Sequence, residues 1–289
     1  MGLSFAKHRK LSEFSTFGIG GPIAYFAEVR TLIDMREGLL FAAEQKLPFL
    51  VLGKGSNSLF DDRGFPGIVL LNKIDFCEWQ EASCHVGAGY SFSLLGAQSA
   101  RKELSGLEFA SGIPASVGGA IFMNAGANGR ETFGPLQSVT FLTSEGDIQE
   151  YKKEALAFSY RTSPFQSMRG AIVSARFAFT PFCPAARPAQ LKIIDYRKKT
   201  QPLKEKSIGC IFRNPSPEKS AGSLIDQCGL KGFRVGGAKV SEIHANFIVN
   251  EGAATALEVM ELMRQIQECV QKKTGLHLEP EVRLISYEP

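Results

Sequence analysis

The feature that most limits how this chain can fold is a glycine-rich run, "SGIPASVGGAIFMNAGANG", from Ser111 to Gly129, which contains five glycines. Pro114 is followed by small residues and then by Gly118 and Gly119, a pattern typical of a turn that leads into a helix. Glycine allows two backbones to approach closely. The run therefore predicts either a helix start that faces a diphosphate or a tightly packed helix contact.

A second glycine-rich turn lies in "VLGKGSNSLF", after a short apolar run that predicts a strand ending at Gly53. Small residues here allow backbone N–H groups to converge on an anion, and Ser56 and Asn57 add side-chain donors. The turn matches neither G-x-G-x-x-G nor the P-loop lysine motif, so the Rossmann and NTPase templates both fail. Two interpretations remain open, a phosphate-binding nest and a tight surface turn.

The length of 289 residues favours two domains over one. The proline-rich segment "PFCPAARPAQ" interrupts the periodic pattern, and we place the boundary there, giving domains at 1–183 and 184–289. Hydrophobic periodicity predicts helices at 31–46, 91–104, 190–200, from Ser223 and at about 254–273, and strands at 47–53, 67–72, 83–89, within 139–151, at 171–181 and at 278–285.

Charge and composition exclude several classes of function. The net charge is +4, and no Lys/Arg run exceeds "KHRK", so a nucleic-acid partner is not expected. No stretch of about 18 apolar residues is present for a membrane span. The six cysteines form no C-x-x-C pair and the four histidines no H-E-x-x-H motif, so we expect no metal site and no disulfide framework. A reduced, cytoplasmic compartment is the simplest interpretation.

The stretch "SIGCIFRNP" raises the question of what Cys210 does. A lone cysteine is most often a small buried apolar side chain. A thiol is also a competent acid, with a reference pKa of about 8.5, and is therefore suited to donate a proton. The residues alone leave both interpretations open.

Seven stretches, taken together and in this order, resemble one enzyme family, the UDP-N-acetylenolpyruvoylglucosamine reductases, also called UDP-N-acetylmuramate dehydrogenases. The resemblance covers nearly the whole chain. The stretches are "STFGIGGPIAYF", "GKGSNSLF", "GLEFASGIPASVGGAIFMNAGANGRE", "FSYRTSPF", "QPLKEKSIGCIFRNP", "AGSLIDQCGLKGFRVGGAKVSEIHANFIVN" and "LEPEVRLI".

The resemblance implies a fold and a cofactor. The first domain would be an FAD-binding domain of the PCMH or vanillyl-alcohol-oxidase type, built from two subdomains. The smaller C-terminal α+β domain would bind the substrate, and its last strand, 278–285, would return an acidic residue to the active site. FAD would be held noncovalently, with its diphosphate on the two glycine-rich turns. The implied cofactor-binding residues are Gly53, Lys54, Gly55, Ser56, Asn57, Gly112, Ile113, Pro114, Ser116, Val117, Gly118, Gly119, Asn124 and Arg197.

The family's activity would be the reduction of UDP-N-acetylglucosamine enolpyruvate to UDP-N-acetylmuramate in peptidoglycan precursor synthesis. NADPH would reduce the flavin and leave, and the substrate would then take its place. The resemblance assigns charge stabilisation to Arg161 and Glu281 and protonation of the substrate carbon C2 to Cys210. Substrate contacts fall on Arg213, Asn214 and His244. Without the resemblance, the arginine and the glutamate are ordinary surface charges, and a solvated helix face explains Arg197 equally well.

Two departures from the family pattern matter. Cys210 stands where the commonest form of the motif has serine, and a neighbouring Arg161 or Arg213 would favour its thiolate over the proton-donating thiol. Arg161 and Cys210 are 49 positions apart, too few for the tyrosine-bearing loop of one branch, so we assign the branch that lacks it. We expect a monomer. The competing functions are another FAD-dependent oxidase or dehydrogenase of the same fold and an inactive nucleotide-sugar-binding homologue.

Overall fold

The computed structural model describes residues 2–288, which form two compact units. One unit comprises residues 2–7, Tyr25–Lys54 and Gly67–Tyr196, and the other comprises His8–Ala24, Gly55–Pro66 and residues 197–288. This division does not coincide with the predicted boundary after residue 183. The two units are defined by contacts between segments that are distant in the sequence, and the pattern of residues along the chain does not indicate those contacts.

Both units contain helices and strands. Among residues 2–288 the α-helices are α1 (Leu32–Glu44), α2 (Phe92–Arg101), α3 (Val117–Phe122), α4 (Ala186–Thr200), α5 (Ala221–Gln227) and α6 (Ala256–Thr274). The strands are β1 (Ile23–Val29), β2 (Phe49–Leu52), β3 (Ser58–Phe60), β4 (Phe65–Asn72), β5 (Cys77–Gln80), β6 (Ser83–Gly87), β7 (Gly126–Ala127), β8 (Arg130–Glu131), β9 (Leu136–Thr143), β10 (Ile148–Lys152), β11 (Gly170–Ala178), β12 (Ser207–Cys210), β13 (Arg234–Val235), β14 (Ala238–Val240), β15 (Phe247–Asn250) and β16 (Arg283–Ile285).

The first unit is built on a five-stranded antiparallel sheet with the strand order β10-β9-β11-β6-β5. Its buried face packs on α2 and α3, with Val86, Leu95, Val117 and Phe177 in one apolar cluster. A second cluster joins α1 to the sheet that has the order β1-β4-β2, in which β2 and β4 run parallel. Both clusters hold the glycine-rich turns at their edges.

The second unit has a four-stranded sheet, β12-β15-β14-β13, packed against α5 and α6. Its core contains Ile208 and Val259, and also Phe17, Ile19 and Leu59 from the early part of the chain. The parallel pair β16 and β3 ties the end of the chain to the segment that follows the first glycine-rich turn.

Local capping explains where the helices begin. Thr31 accepts a hydrogen bond from the amide of Asp34 at 3.1 Å, and Thr255 accepts one from the amide of Glu258 at 3.2 Å. These side chains satisfy amides that have no partner within the helix. The predicted helices at 31–46 and 254–273 are therefore confirmed as α1 and α6. The latter ends at Gly275, whose φ of 74° is left-handed.

Two predicted elements differ in extent. The helix predicted at 190–200 begins at Ala186, because Pro188 falls in its first turn, where a missing N–H costs no helical hydrogen bond. The strand predicted at 278–285 is regular only as β16. Pro280 interrupts the earlier part, which forms an isolated bridge to Phe212 instead. Glu281 thus lies just before the last strand.

Candidate active site

The turn after β2 lies against the start of α3 in the first unit. A β-carbon built on Gly53 would come within 2.3 Å of Ser116 Oγ, so any larger residue here would force the Ser116 side chain to move. Next to it, Lys54 Nζ donates a hydrogen bond to Ser91 Oγ at 3.0 Å. The two glycine-rich stretches predicted from the sequence are therefore adjacent across this contact.

The second glycine-rich stretch provides α3 with its N-cap, because Ser116 Oγ accepts from the amide of Gly119 at 3.2 Å. The amides of Val117 and Gly118 donate to the carbonyl oxygens of Tyr90 and Ala88, at 2.9 and 2.8 Å. These two amides are engaged within the protein, as the packed-helix interpretation expects. Their contact with a diphosphate stays a prediction.

An orphaned hydroxyl marks the beginning of the same stretch. Ser111 is 1% exposed, and its Oγ has no hydrogen-bond partner among residues 2–288. Gly112 follows with a φ of 87° and donates from its amide to Ser93 Oγ at 2.7 Å. A buried hydroxyl without a protein partner costs free energy unless a ligand group satisfies it. The edge of the first unit therefore fits a bound polar group such as a nucleotide cofactor.

Arg161 lies on a two-residue loop of the first unit. The loop is closed by hydrogen bonds in both directions between Ser159 and Thr162, at 3.1 and 3.0 Å. Arg161 has a φ of 56°, and its guanidinium carbon lies 5.2 Å from the centre of the Tyr160 ring. Asn124 was predicted to bind the cofactor, yet its side-chain amide donates to Glu131 and to the carbonyl of Ser159, so it supports this loop.

In the second unit, Cys210 ends β12 and lies opposite Phe247 of β15. Gly209 has a φ of 83°, which bends the strand immediately before the thiol. The next residue, Ile211, accepts a hydrogen bond from the amide of Glu281 at 2.7 Å. Cys210 and Glu281 are thereby held on neighbouring segments of one unit, as the resemblance implies.

Arg197 is placed by the structure beside Cys210. Burial lowers the pKa of the Arg197 guanidinium, and the electrostatic interaction with Cys210 acts in the opposite direction. The family resemblance placed this arginine near the flavin. In the second unit, Arg197 interacts electrostatically with Cys210. An arginine on a solvated helix face would not do so.

The rest of the first glycine-rich turn belongs to the second unit. A β-carbon on Gly55, whose φ is 58°, would meet the Phe14 carbonyl oxygen at 2.1 Å. Asn57 donates from Nδ2 to the carbonyl of Glu281 at 3.4 Å and accepts from the amide of Arg283 at 3.0 Å. Asn57 therefore fixes the segment that carries Glu281.

The predicted substrate-binding residues have different environments. Arg213 Nε is buried without a hydrogen-bond partner within the described part of the chain, as expected for a group that awaits a ligand. Asn214 is exposed, and its Oδ1 accepts from the amide of Ala221 at the start of α5 at 3.0 Å. Burial lowers the pKa of His244, whose Nδ1 accepts from the amide of Asn246 at 3.2 Å.

Sequence reasoning missed Asn246 and Gln166. Asn246 is 3% exposed, and its side chain both accepts from the amide of Phe212 at 3.0 Å and donates to its carbonyl at 2.8 Å. This pairing holds the segment that follows Cys210. An asparagine within the apolar run "HANFIV" was the available signal, because a buried amide in such a run needs partners.

No group of three or more His, Cys, Asp or Glu side chains in residues 2–288 is arranged to hold a metal ion. Over the same residues, no helix has the length and apolar character that crossing a membrane requires.

The fold and the two glycine-rich turns define a class of protein, the two-domain flavoproteins. Residues 23–152 match the family model of the FAD binding domain, and residues 201–285 match that of the UDP-N-acetylenolpyruvoylglucosamine reductase C-terminal domain. The chain belongs to the UDP-N-acetylenolpyruvoylglucosamine reductase family.

Curated relatives extend over nearly the whole chain. The UDP-N-acetylenolpyruvoylglucosamine reductase of Protochlamydia amoebophila is 60% identical over 96% of this chain and 93% of its own length. That of Chlamydia abortus is 47% identical over the same shares. The crystal structure of the Thermus caldophilus reductase superposes with a TM-score of 0.83 at 37% identity, covering 98% of this chain and 100% of that one.

Proposed function

We propose that this protein uses NADPH to reduce the enolpyruvyl group of UDP-N-acetylglucosamine enolpyruvate, giving UDP-N-acetylmuramate for peptidoglycan synthesis. The observation that carries the proposal is the 60% identity with a curated reductase across 96% of the chain. The second unit agrees with it, because it holds a thiol, an arginine and a carboxylate on adjoining segments.

FAD is the cofactor, and the first unit has the features that a bound nucleotide needs. Gly53 gives close backbone approach, and the orphaned Ser111 hydroxyl offers a hydrogen bond. We propose that Gly53, Lys54 and the residues from Gly112 to Gly119 hold the cofactor, together with Gly55, Ser56 and Asn57. When bound there, FAD would supply the hydride chemistry that links NADPH to the enolpyruvyl double bond.

The protein's own part in the reaction is to supply a proton and to stabilise charge. We propose that Cys210 holds a proton on Sγ and gives it to C2 of the substrate. Before this proton transfer, Arg161 and Glu281 stabilise the negative charge that builds on the substrate carboxylate, the arginine directly and the glutamate as a carboxylic acid that donates a hydrogen bond. Arg197, beside Cys210, joins this set as an electrostatic neighbour of the thiol.

The remaining residues are proposed to orient the substrate. Arg213 offers a buried guanidinium nitrogen without a protein partner, which suits a phosphate or carboxylate. His244 is kept uncharged by burial at neutral pH and is therefore proposed as a neutral hydrogen-bonding group for the nucleotide sugar. The Asn214 side chain caps α5, so we propose that its contribution is to place Arg213.

A spectroscopic experiment tests the function. Purified protein should show flavin absorption that NADPH bleaches under anaerobic conditions and that UDP-N-acetylglucosamine enolpyruvate restores. Bleaching with NADPH followed by reoxidation with oxygen alone would identify an oxidase instead. A colourless protein that binds the nucleotide sugar would identify an inactive homologue.

We also propose that the protein is a cytoplasmic monomer. None of the six cysteines, all within residues 2–288, forms a disulfide, which agrees with a reducing compartment. Light scattering coupled to size-exclusion chromatography would give the mass in solution, and 31.5 kDa is the value expected for one chain.

A further inference from the structure

The loop that carries Arg161 is held in an unfavourable backbone conformation. Its φ of 56° lies in the left-handed region, which costs free energy for any residue with a β-carbon. Such a conformation persists only where surrounding contacts fix it. The contacts that do so are within the first unit and come from two amide side chains.

Gln166 is the first of these contacts. Its Nε2 donates to the carbonyl of Arg161 itself at 3.0 Å and to the carbonyl of Phe122 at 2.9 Å. Phe122 is the last residue of α3, so the amide joins the arginine loop to the end of that helix. Ser163 Oγ donates to the same Phe122 carbonyl at 2.7 Å, which adds a second link between the loop and α3.

Asn124 is the second contact. It is completely buried, and its Nδ2 donates to the carbonyl of Ser159 at 2.9 Å and to the Glu131 carboxylate at 2.8 Å. Its Oδ1 accepts from the amide of Phe133 at 3.2 Å. Both N–H groups of this side chain are thus used within the protein, and its oxygen has one protein donor.

We propose that Gln166 and Asn124 are positioning residues that fix the backbone of Arg161 before the substrate binds. The proposal rests on the proposed role of Arg161 in the reaction. A half-buried arginine on a loop that was not fixed beforehand would lose conformational freedom on binding. Groups that are ordered beforehand stabilise developing charge more effectively. Gln166 and Asn124 therefore act through Arg161 and contact no reacting atom.

Gln166→Ala is the main test, because Gln166 is exposed and its loss leaves the core intact. We expect the amides of Ser159 and Thr162, which close the loop, to exchange with deuterium about tenfold faster. We expect the dissociation constant of the substrate to rise and flavin reoxidation by the substrate to slow by about tenfold. Bleaching by NADPH should be unchanged. Ser167→Ala is the matched control, since Ser167 Oγ bonds only locally to Pro164 and the substitution should alter none of these measurements.

A double-mutant cycle separates positioning from a general structural effect. In an Arg161→Ala background, adding Gln166→Ala should produce no further slowing of reoxidation, because the guanidinium that Gln166 positions is already absent. Additive losses would overturn the proposal, as would unchanged exchange at Ser159 and Thr162 in Gln166→Ala.

Asn124→Ala gives an independent measurement. It should accelerate exchange in the same loop while FAD content stays at the wild-type ratio. Loss of FAD with normal loop exchange would show that Asn124 is a cofactor ligand and would overturn its assignment here. If the wild-type protein is not reoxidised by the enolpyruvyl substrate, the proposed function fails, whereas the exchange data still report whether the amides hold the loop.

Discussion

Cys210 ends β12, and we propose that its thiol donates a proton to the substrate. It is half-buried, and Arg197 lies close enough for its pKa to respond to the charge of the thiolate. A neighbouring cation such as Arg197 favours the thiolate form of Cys210, whereas a proton donor must be in the thiol form.

Replacing Cys210 tests whether the thiol gives the proton. Cys210→Ala should lower turnover by about 10²- to 10⁴-fold while leaving flavin reduction by NADPH intact, because only the second half-reaction needs a general acid. Cys210→Ser should keep measurable activity, since the hydroxyl occupies the same place. Stopped-flow absorbance separates the two half-reactions. Cys269→Ser, which changes another half-buried thiol of the same unit, is the control and should be silent. Near wild-type turnover in Cys210→Ala would mean that the thiol is structural.

We propose that the role of Glu281 is likewise confined to the second half-reaction. Glu281→Gln should slow reoxidation by the enolpyruvyl substrate by about 10²- to 10³-fold, because one charge-stabilising group is weakened, while bleaching by NADPH continues at the normal rate. Glu279→Gln is a matched change two residues earlier, where the side chain is exposed, and should behave as wild type. Slow bleaching with normal reoxidation would contradict the assignment.

At the residue scale, the sequence located the reactive groups only through the family resemblance. Composition and spacing alone left Arg161 and Glu281 indistinguishable from surface charges. Asn246 and Gln166 escaped notice because their partners are backbone groups, Phe212 and Phe122, that lie 34 and 44 positions away. Amide side chains in such roles leave no periodic pattern for a sequence to display.

At the scale of elements, the helices were the most predictable part of the chain, since periodicity and N-cap residues are local signals. The start of α6 also depends on a contact that is not local. Asp62 accepts from the amide of Ala256 at 2.8 Å and from that of Leu257 at 3.4 Å, although it lies 194 positions before the helix. A carboxylate at this position accepts hydrogen bonds from amides that have no partner within the helix. Its negative charge also interacts favourably with the positive end of the helix dipole.

Removing this carboxylate should weaken the second unit. Asp62→Ala should lower the free energy of unfolding by about 1 kcal/mol, because two helix amides lose their acceptor, and Asp62→Asn should cost less since an amide oxygen remains. Urea denaturation followed by circular dichroism measures the difference. Glu205→Ala removes an exposed carboxylate of the same unit and should leave the midpoint unchanged. Equal midpoints for Asp62→Ala and wild type would show that Thr255 alone caps α6.

At the scale of the whole molecule, the sequence suggested two consecutive domains, and the structure instead has two units built from separated segments. The core of the second unit includes Phe17, Ile19 and Leu59, which are at most 2% exposed. Thr16 Oγ1 also donates to the carbonyl of Ser207 at 2.7 Å. Long-range pairing of this kind depends on the assembled backbone, so a linear scan for proline-rich boundaries does not detect it.

A fragment of residues 197–289 should therefore fail to fold alone. It lacks three buried apolar side chains of its core and the β3 partner of β16. We expect poor dispersion in its proton–nitrogen NMR spectrum and no cooperative thermal transition. Joining residues 8–24 and 55–66 to it through flexible linkers should restore both. A well-dispersed spectrum from the fragment by itself would contradict the expectation.

The interleaving of segments also bears on how the protein is made. Residues 8–24 and 55–66 leave the ribosome long before residue 197, and at about 5–20 residues per second the intervening synthesis takes on the order of ten seconds. Throughout that interval Phe17, Ile19 and Leu59 have no core to enter. The nascent chain thus presents an apolar surface for chaperones to protect, and a pause in translation between residues 67 and 196 would lengthen the exposure.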